Sequence, residues 1–527
     1  MNFMKIKNSK NDISGITLIA LVITIIVFLI LAGITISMLS GDNSILKRAI
    51  DAHDKTEQSQ LEEEVGLAYL GFISQINKTD DLEHYLNMID NANVEKLAMD
   101  TWYVSRKKAS VTVYDDGEIA AGKIELWDGT NMECPVFKDF NWYIYTASQL
   151  KFLADFVNNE NTITTEQETM LADAGYNTSD VAITESTTIY LMNNLDLGAR
   201  ASLGSTEETK WETTANETRK WEPIGIDNSN KKLIGIFEGN NHTIRGVYVN
   251  REEKFNGIFG NANTIQNLTI INSYIKGKRV TAGIVGALRS GTIINCHNKN
   301  TTVILAEGTD NYAVAGVVGQ IIGCEGAYNL SNTGKIISYG YYSSEENIVY
   351  CGGVVAYLKA STISECTNYG EIQSNNLGIN TGGVVGMLAS GTDASPTIVN
   401  NCSNYGKVDG ISHVGGVVGQ ANKNTIITNC YNEGIITSEN RYIGGIVGGF
   451  GGQNSLINNY NKGNVSGVNF GFVIGSVSDT STYSNLYYFS GLEINSNGRN
   501  SEETTVTQSI DNNFNSLTEF LNWLENQ

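Results

Sequence analysis

Four cysteines recur at matching places in a repeated phrase of this chain: Cys296, Cys366, Cys402 and Cys430. A column of thiols suggests metal or redox chemistry, because thiolates ligate soft metals and exchange disulfides. The plainer reading is a column of small, inward-facing core residues. Close by recur Tyr369, Tyr405, Tyr431 and Tyr460, an aromatic stripe that either receives a glycan or packs coil on coil. The five histidines, His53, His84, His242, His297 and His413, are scattered. The sequence holds no HExxH, no GxSxG and no P-loop. In the regular repeats acidic residues such as Asp393 and Asp409 do not recur in register, whereas a sugar-cleaving site on a β-helix needs Asp, Arg or Lys clustered on one face. No calcium-binding nonapeptide is present, and the seven cysteines form no CxxC pair. These observations predict a non-enzymatic protein with no metal and no cofactor. A carbohydrate-active enzyme is the alternative.

Glycines and asparagines would have to position these columns. The phrase GGVVG recurs with variants at Ala282–Gly286, Ala315–Gly319, Gly352–Ala356, Gly382–Gly386, Gly415–Gly419 and Gly444–Gly448, with a decayed copy at Phe470–Gly475. A second phrase follows in most copies, as in Cys366-Thr367-Asn368-Tyr369-Gly370 and Cys402-Ser403-Asn404-Tyr405-Gly406. Self-similarity at such a period is the signature of a repeat architecture. Each period holds three short β-prone pieces, AGIVGAL, TIINCHN and TTVILAE in one copy. Three strands per coil predict a mainly β chain, a right-handed parallel β-helix whose coils stack about 4.8 Å apart. Gly suits corners that need positive φ or close approach, and Asn tolerates the left-handed region and stacks in ladders. Less regular coils are expected at Ile189–Leu197, Ile234–Val249 and Phe255–Ile275.

The array over residues 220–475 resembles the GLUG repeats of bacterial surface proteins, a motif also found in IgA-cleaving metallopeptidases. Phe237-Glu238-Gly239-Asn240-Asn241-His242-Thr243-Ile244 is similar to the opening coils of pectin-lyase-like solenoids. The resemblance implies a fold and leaves function open, because such repeats serve adhesins and proteases alike. Capping boxes at Thr146-Ala147-Ser148-Gln149 and Ser516-Leu517-Thr518-Glu519 predict short helices closing the two ends of the array.

Charge narrows the partners. Lys plus Arg number 35 against 56 Asp plus Glu, a net charge of -21, which excludes a nucleic-acid partner because phosphates call for a basic face. With only 3 prolines, long Pro-rich stalks are excluded as well.

The N-terminus fixes location. Lys5, Lys7 and Lys10 precede an uncharged run from Ile16 to Met38, long enough as a helix to cross the roughly 30 Å hydrocarbon core. The lysines place the leading end in the cytoplasm and the bulk of the chain outside. Ser14-Gly15-Ile16-Thr17-Leu18-Ile19 resembles the type IV prepilin signal. The resemblance implies cleavage after Gly15 by a prepilin peptidase, and N-methylation of Ile16 as the first mature residue. At the fifth mature position pilins usually carry Glu, which pairs with a neighbouring subunit's amine; here Ala20 stands there, which points to a minor rather than a major subunit. A plain uncleaved anchor is the alternative. From Ser40 to Lys78 apolar residues recur at Ile45, Ala49, Ala52, Leu61, Val65, Ala68, Phe72 and Ile76, which predicts a continuing helix.

The expected organisation is a leader at 1–15, a transmembrane helix at 16–39, an extracellular helix at 40–78 and a small α+β region at 79–140. An N-terminal cap at 141–185, a solenoid at 186–490 and a C-terminal tail with a capping helix at 491–527 complete it. The expected protein is a membrane-anchored, cell-surface, minor-pilin-like subunit presenting a solenoid for adhesion. Its expected partners are prepilin peptidase, pilus or secretion-system subunits, membrane lipid and a glycan or protein ligand.

Overall fold

The computed structural model describes residues 45–75, 80–227, 230–308, 312–340, 348–375, 379–476, 480–492 and 507–527. The uncharged run Ile16–Met38, with Gly15, Ile16 and Ala20, lies outside them. Among the described residues no helix is long and apolar enough to cross a membrane. The chain divides into two compact units, Met1–Ile124 and Glu125–Gln527. Residues 125–140, grouped with the small α+β region on sequence, cluster with the second unit.

In the first unit the predicted helix runs over Ile45–Ile73. Its apolar stripe buries Leu61 and Val65 completely, with Ala68, Tyr69 and Phe72 partly buried beside them. Full burial of such a side chain is worth about 1.5–3 kcal/mol. The stripe packs on a four-stranded antiparallel sheet in sequence order: Asn93–Ala98, Thr101–Arg106, Ala109–Tyr114 and Ile119–Ala121. Trp102, Val104, Val111 and Val113 supply the sheet's side of this core, and Leu82 and Leu86 come from the short helix Leu82–Leu86. Polar contacts fix the helix in register. The Gln58 side chain donates to the Ser110 carbonyl at 3.1 Å and accepts from its N–H at 3.0 Å, and Arg106 Nη1 lies 2.6 Å from Glu64 Oε2.

The second unit is mainly β and solenoid-like. Nearly all its strand pairs are parallel; the N-terminal hairpin of Val136–Lys138 with Asn141–Ile144 is antiparallel. One eight-stranded sheet stacks Tyr248–Arg251, Tyr274–Gly277, Thr302–Leu305 and their successors to Val465–Ser466. A second stacks Phe255–Asn256, Val280–Ala282 and their successors to Asn469–Gly471. The third and largest carries the remaining strands, in which Val285, Val318, Val355, Val385, Val418 and Val447 lie in register coil on coil. All six valines are fully buried. No single coil can bury this face alone, so stacking makes the core.

GGVVG is a corner rather than a strand. In the first copy it joins Val280–Ala282 to Val285–Leu288 across Gly283 and Ile284. The glycine is required by space. A Cβ on Gly316 would lie 2.2 Å from the Gly353 carbonyl oxygen and 2.4 Å from Asn332 Cγ, and the same clash recurs at Gly353, Gly383, Gly416 and Gly445. What crowds it is a column of fully buried asparagines: Asn298, Asn332, Asn368, Asn404, Asn432 and Asn461. Each Nδ2 donates to the Oδ1 of the next at 2.7–2.9 Å. The positive-φ role falls to other asparagines. Asn267, Asn295, Asn329, Asn429, Asn458 and Asn485 all take φ between 52° and 56°.

The ends differ from each other. Helix Ala147–Asn158 buries Leu150, Phe152, Leu153, Phe156 and Val157 into the main core. Thr146 accepts from the Gln149 N–H, but the Gln149 side chain reaches back one residue further, to the Tyr145 N–H at 2.7 Å. Ser516 and Glu519 repeat that geometry, with Glu519 on the Asn515 N–H at 2.8 Å. At the C-terminal end the strand Thr482–Phe489 is paired over Tyr487–Phe489 by strand Gln508–Ile510. Helix Leu517–Glu525 lies instead on the flank, against tyrosines.

Candidate binding surface on the solenoid flank

The thiol column exists and is sealed. Cys366, Cys402 and Cys430 occupy successive coils, and Cys296 lies further up the same column; all four are fully buried and unbridged. The Cys402 thiol donates to the Asn400 carbonyl at 3.2 Å, and Cys296, Cys366 and Cys430 likewise donate two residues back. Burial pushes Cys296 and Cys430 up to about 12, and burial beside the Cys366 thiol raises Cys402 well above its ordinary value. A neutral, buried thiol is a poor nucleophile and a poor ligand. Among the described residues no group of three or more His, Cys, Asp or Glu side chains could hold a metal ion. The solenoid's histidines stay apart: His242 Nδ1 lies 3.1 Å from Asn194 Oδ1, His297 Nδ1 lies 2.8 Å from Ser331 Oγ, and His413 stacks on Tyr442.

The tyrosine stripe divides into two columns. Tyr369 and Tyr405 directly follow the buried asparagines Asn368 and Asn404. Tyr431 and Tyr460 directly precede Asn432 and Asn461 and pair in register with each other and with Tyr487. The signal was present in the sequence, as Asn-Tyr in the first pair and Tyr-Asn in the second. Odd and even positions of a strand face opposite ways, so both columns flank the inward asparagine and point outward.

The second column is covered. Phe514, Phe520 and Trp523 of the C-terminal segment pack over it, with Phe520 5.4 Å from Tyr460 and Trp523 5.3 Å from Tyr487 between ring centroids. The hydroxyls are used as well: Tyr431 donates to the Phe514 carbonyl at 2.9 Å and Tyr460 to the Asn512 carbonyl at 2.6 Å. Tyr431 and Tyr460 are thereby fully buried. The first column is covered at one end, where Tyr405 lies 5.7 Å from Tyr431 and packs against the C-terminal cluster. Tyr369 and Tyr405 stack 5.1 Å apart with planes 9° from parallel, and Tyr369 remains 56% exposed.

A cleft of about 1040 Å³ opens elsewhere in the second unit, beside the eight-stranded sheet that begins with Tyr248–Arg251, lined by Lys220, Arg251, Lys276, Lys278 and the carboxylates Glu252, Glu253 and Glu307. Its cations are committed. Lys276 pairs with Glu212 at 2.6 Å, Lys278 with Glu252 at 2.8 Å, and Arg251 with Glu222 at 3.1 Å and Glu253 at 2.8 Å. Arg251 Nη1 has no partner, but it is buried and out of reach of solvent. Near this cleft Trp211 stacks on Tyr274, and Tyr274 on Tyr248, whose hydroxyls donate to Glu212 and Glu217.

No known family profile matches the chain. Halomucin of Haloquadratum walsbyi is 33% identical over 131 residues, 24% of this chain and 1% of halomucin's length. The chain thus corresponds to a very small part of that protein. A crystal structure assigned provisionally as an immunoglobulin A1 protease of Bacteroides ovatus is 15% identical, covering 73% of this chain and 83% of its own, at a TM-score of 0.32. At that score the likeness adds nothing to the fold described above.

Proposed function

We propose that this chain is a non-enzymatic bacterial surface protein, a minor-pilin-like subunit that carries a right-handed β-solenoid outside the cell as a binding module. The observation that carries the reading is the sequence Ser14-Gly15-Ile16 opening an uncharged run through Met38, behind three lysines. The helix Ile45–Ile73, packed on a four-stranded antiparallel sheet, supports it, because a pilin is one long helix with a small head on its outer half. A stacked solenoid with an exposed tyrosine, Tyr369, on its flank suits a module that binds rather than cuts.

Ala20 favours a second reading, an anchored solenoid that joins no filament, since the carboxylate that would pair with a neighbouring subunit is missing. Mass spectrometry of the mature N-terminal peptide, from cells with and without prepilin peptidase, separates the two. The expected peptide begins at N-methylated Ile16 and reverts to Met1 when the peptidase is absent. A Met1 start in both strains removes the pilin reading and leaves the anchored one.

A further inference from the structure

The strongest unassigned feature is the open end of the first tyrosine column. Among the residues that follow the buried asparagines, coil by coil, are Lys299, Thr333, Tyr369 and Tyr405. Tyr405 covers one face of Tyr369. At 56% exposure, the opposite face of Tyr369 is open to solvent. That face looks along the stack toward Thr333 and then Lys299, both exposed. Neither is aromatic, so the ring column stops at Tyr369, with Thr333 one coil spacing of about 4.8 Å away and Lys299 two.

The side chains on the neighbouring coils are polar. Ser331 and Thr367 stand on the other side of the asparagine column, in register with His297 and Ser403. Lys335 and Glu371 face each other at 3.6 Å on the two coils concerned. An apolar peptide side chain would need a desolvated pocket, and none is present here. A pyranose ring fits the chemistry better: its axial C–H face lies on an aromatic face while its equatorial hydroxyls reach polar groups around it.

We infer that Tyr369, backed by Tyr405, is a stacking platform for a neutral hexopyranose unit of a surface glycan, with Thr333 and Lys299 meeting the sugar's hydroxyls. This rests on the reading of the solenoid as an exposed binding module, and it names the ligand class and the place. Tyr405 acts as a positioning residue, holding the Tyr369 ring in plane.

The test uses the full chain in detergent and saturation-transfer NMR with three probes: cellohexaose, mannohexaose and chitohexaose. At least one is expected to bind, with sugar-ring protons closest to Tyr369. Tyr369→Ala should weaken that binding at least tenfold, Tyr369→Phe should keep it, and Lys299→Ala should weaken it a few-fold. Unchanged melting curves for all three variants exclude a folding defect. If no probe binds, or if binding survives Tyr369→Ala, the platform is wrong. Surface labelling of intact cells reads the exposed-module proposal separately, so either idea can fail while the other stands. Binding of a hydrophobic peptide at Tyr369 with no glycan binding also overturns the platform.

Discussion

At the scale of single residues, the asparagine column separates two kinds of glycine. Gly383 faces Asn404, and a Cβ there would sit 1.9 Å from the Gly416 carbonyl oxygen. Gly66 lies in the middle of the first unit's helix with nothing within 4 Å of an added Cβ. One substitution should therefore have opposite signs. Gly66→Ala is expected to stabilise the helix by about 0.5–1 kcal/mol, whereas Gly383→Ala should unfold or strongly destabilise the solenoid. Denaturant titration of both variants checks this, and equal effects would sink the argument from space. The asparagines themselves are the second test. Asn368 accepts from Asn332 at 2.9 Å and donates to Asn404 at 2.8 Å and to the Gly370 carbonyl at 2.9 Å. Asn368→Ala leaves the Asn404 side-chain Oδ1 without that donor in a dry interior, at a cost of roughly 1–3 kcal/mol. It should appear as a lower urea midpoint with unchanged slope. A loss of under about 0.5 kcal/mol would mean that the column is ornamental.

At the scale of elements, the period of the array was legible and its geometry only partly so. Gly and Asn recur because stacked coils must meet in register, and that constraint is written directly into residue spacing. The corner inside GGVVG was not legible. A run such as Gly-Gly-Val-Val-Gly reads as one apolar strand until the asparagine opposite it is known. The helix over 517–525 shows the same limit. Its start at Ser516 and its apolar residues Phe520, Leu521 and Leu524 are local facts, set by capping and helical period. What it covers depends on which way Tyr431 and Tyr460 point, and that is decided by the long-range register of the asparagine column. The split of the tyrosines followed from the order of two adjacent letters, which carries weight only once Asn is known to face inward. The strand Gln508–Ile510 that pairs with the end of the last long strand has no marked sequence signal at all.

At the scale of the whole molecule, burial of histidine makes the solenoid sensitive to acid. Burial lowers the pKa of His242, His297 and His413, with Lys299 adding to the effect at His297 and Arg441 at His413. Each folded value lies below the unfolded one near 6.5, so the unfolded chain takes the proton first. Stability should be level above that pH and fall as pH drops from about 6.5 through the folded values. Melting temperature measured between pH 7.5 and 5 should show this, and replacing all three histidines by Asn should flatten the curve. Carboxylates held low, such as Glu64 beside Arg106 and Asp128 on the Asn131 N–H, act in a separate and more acidic window. Because each buried asparagine donates in the same direction to the next, every seam between regular coils is chemically the same seam. The number of coils is then a free variable, and each one adds about 4.8 Å of reach. Duplicating or losing a whole repeat would lengthen or shorten the projection like a ruler marked in coils, with both ends left as they are.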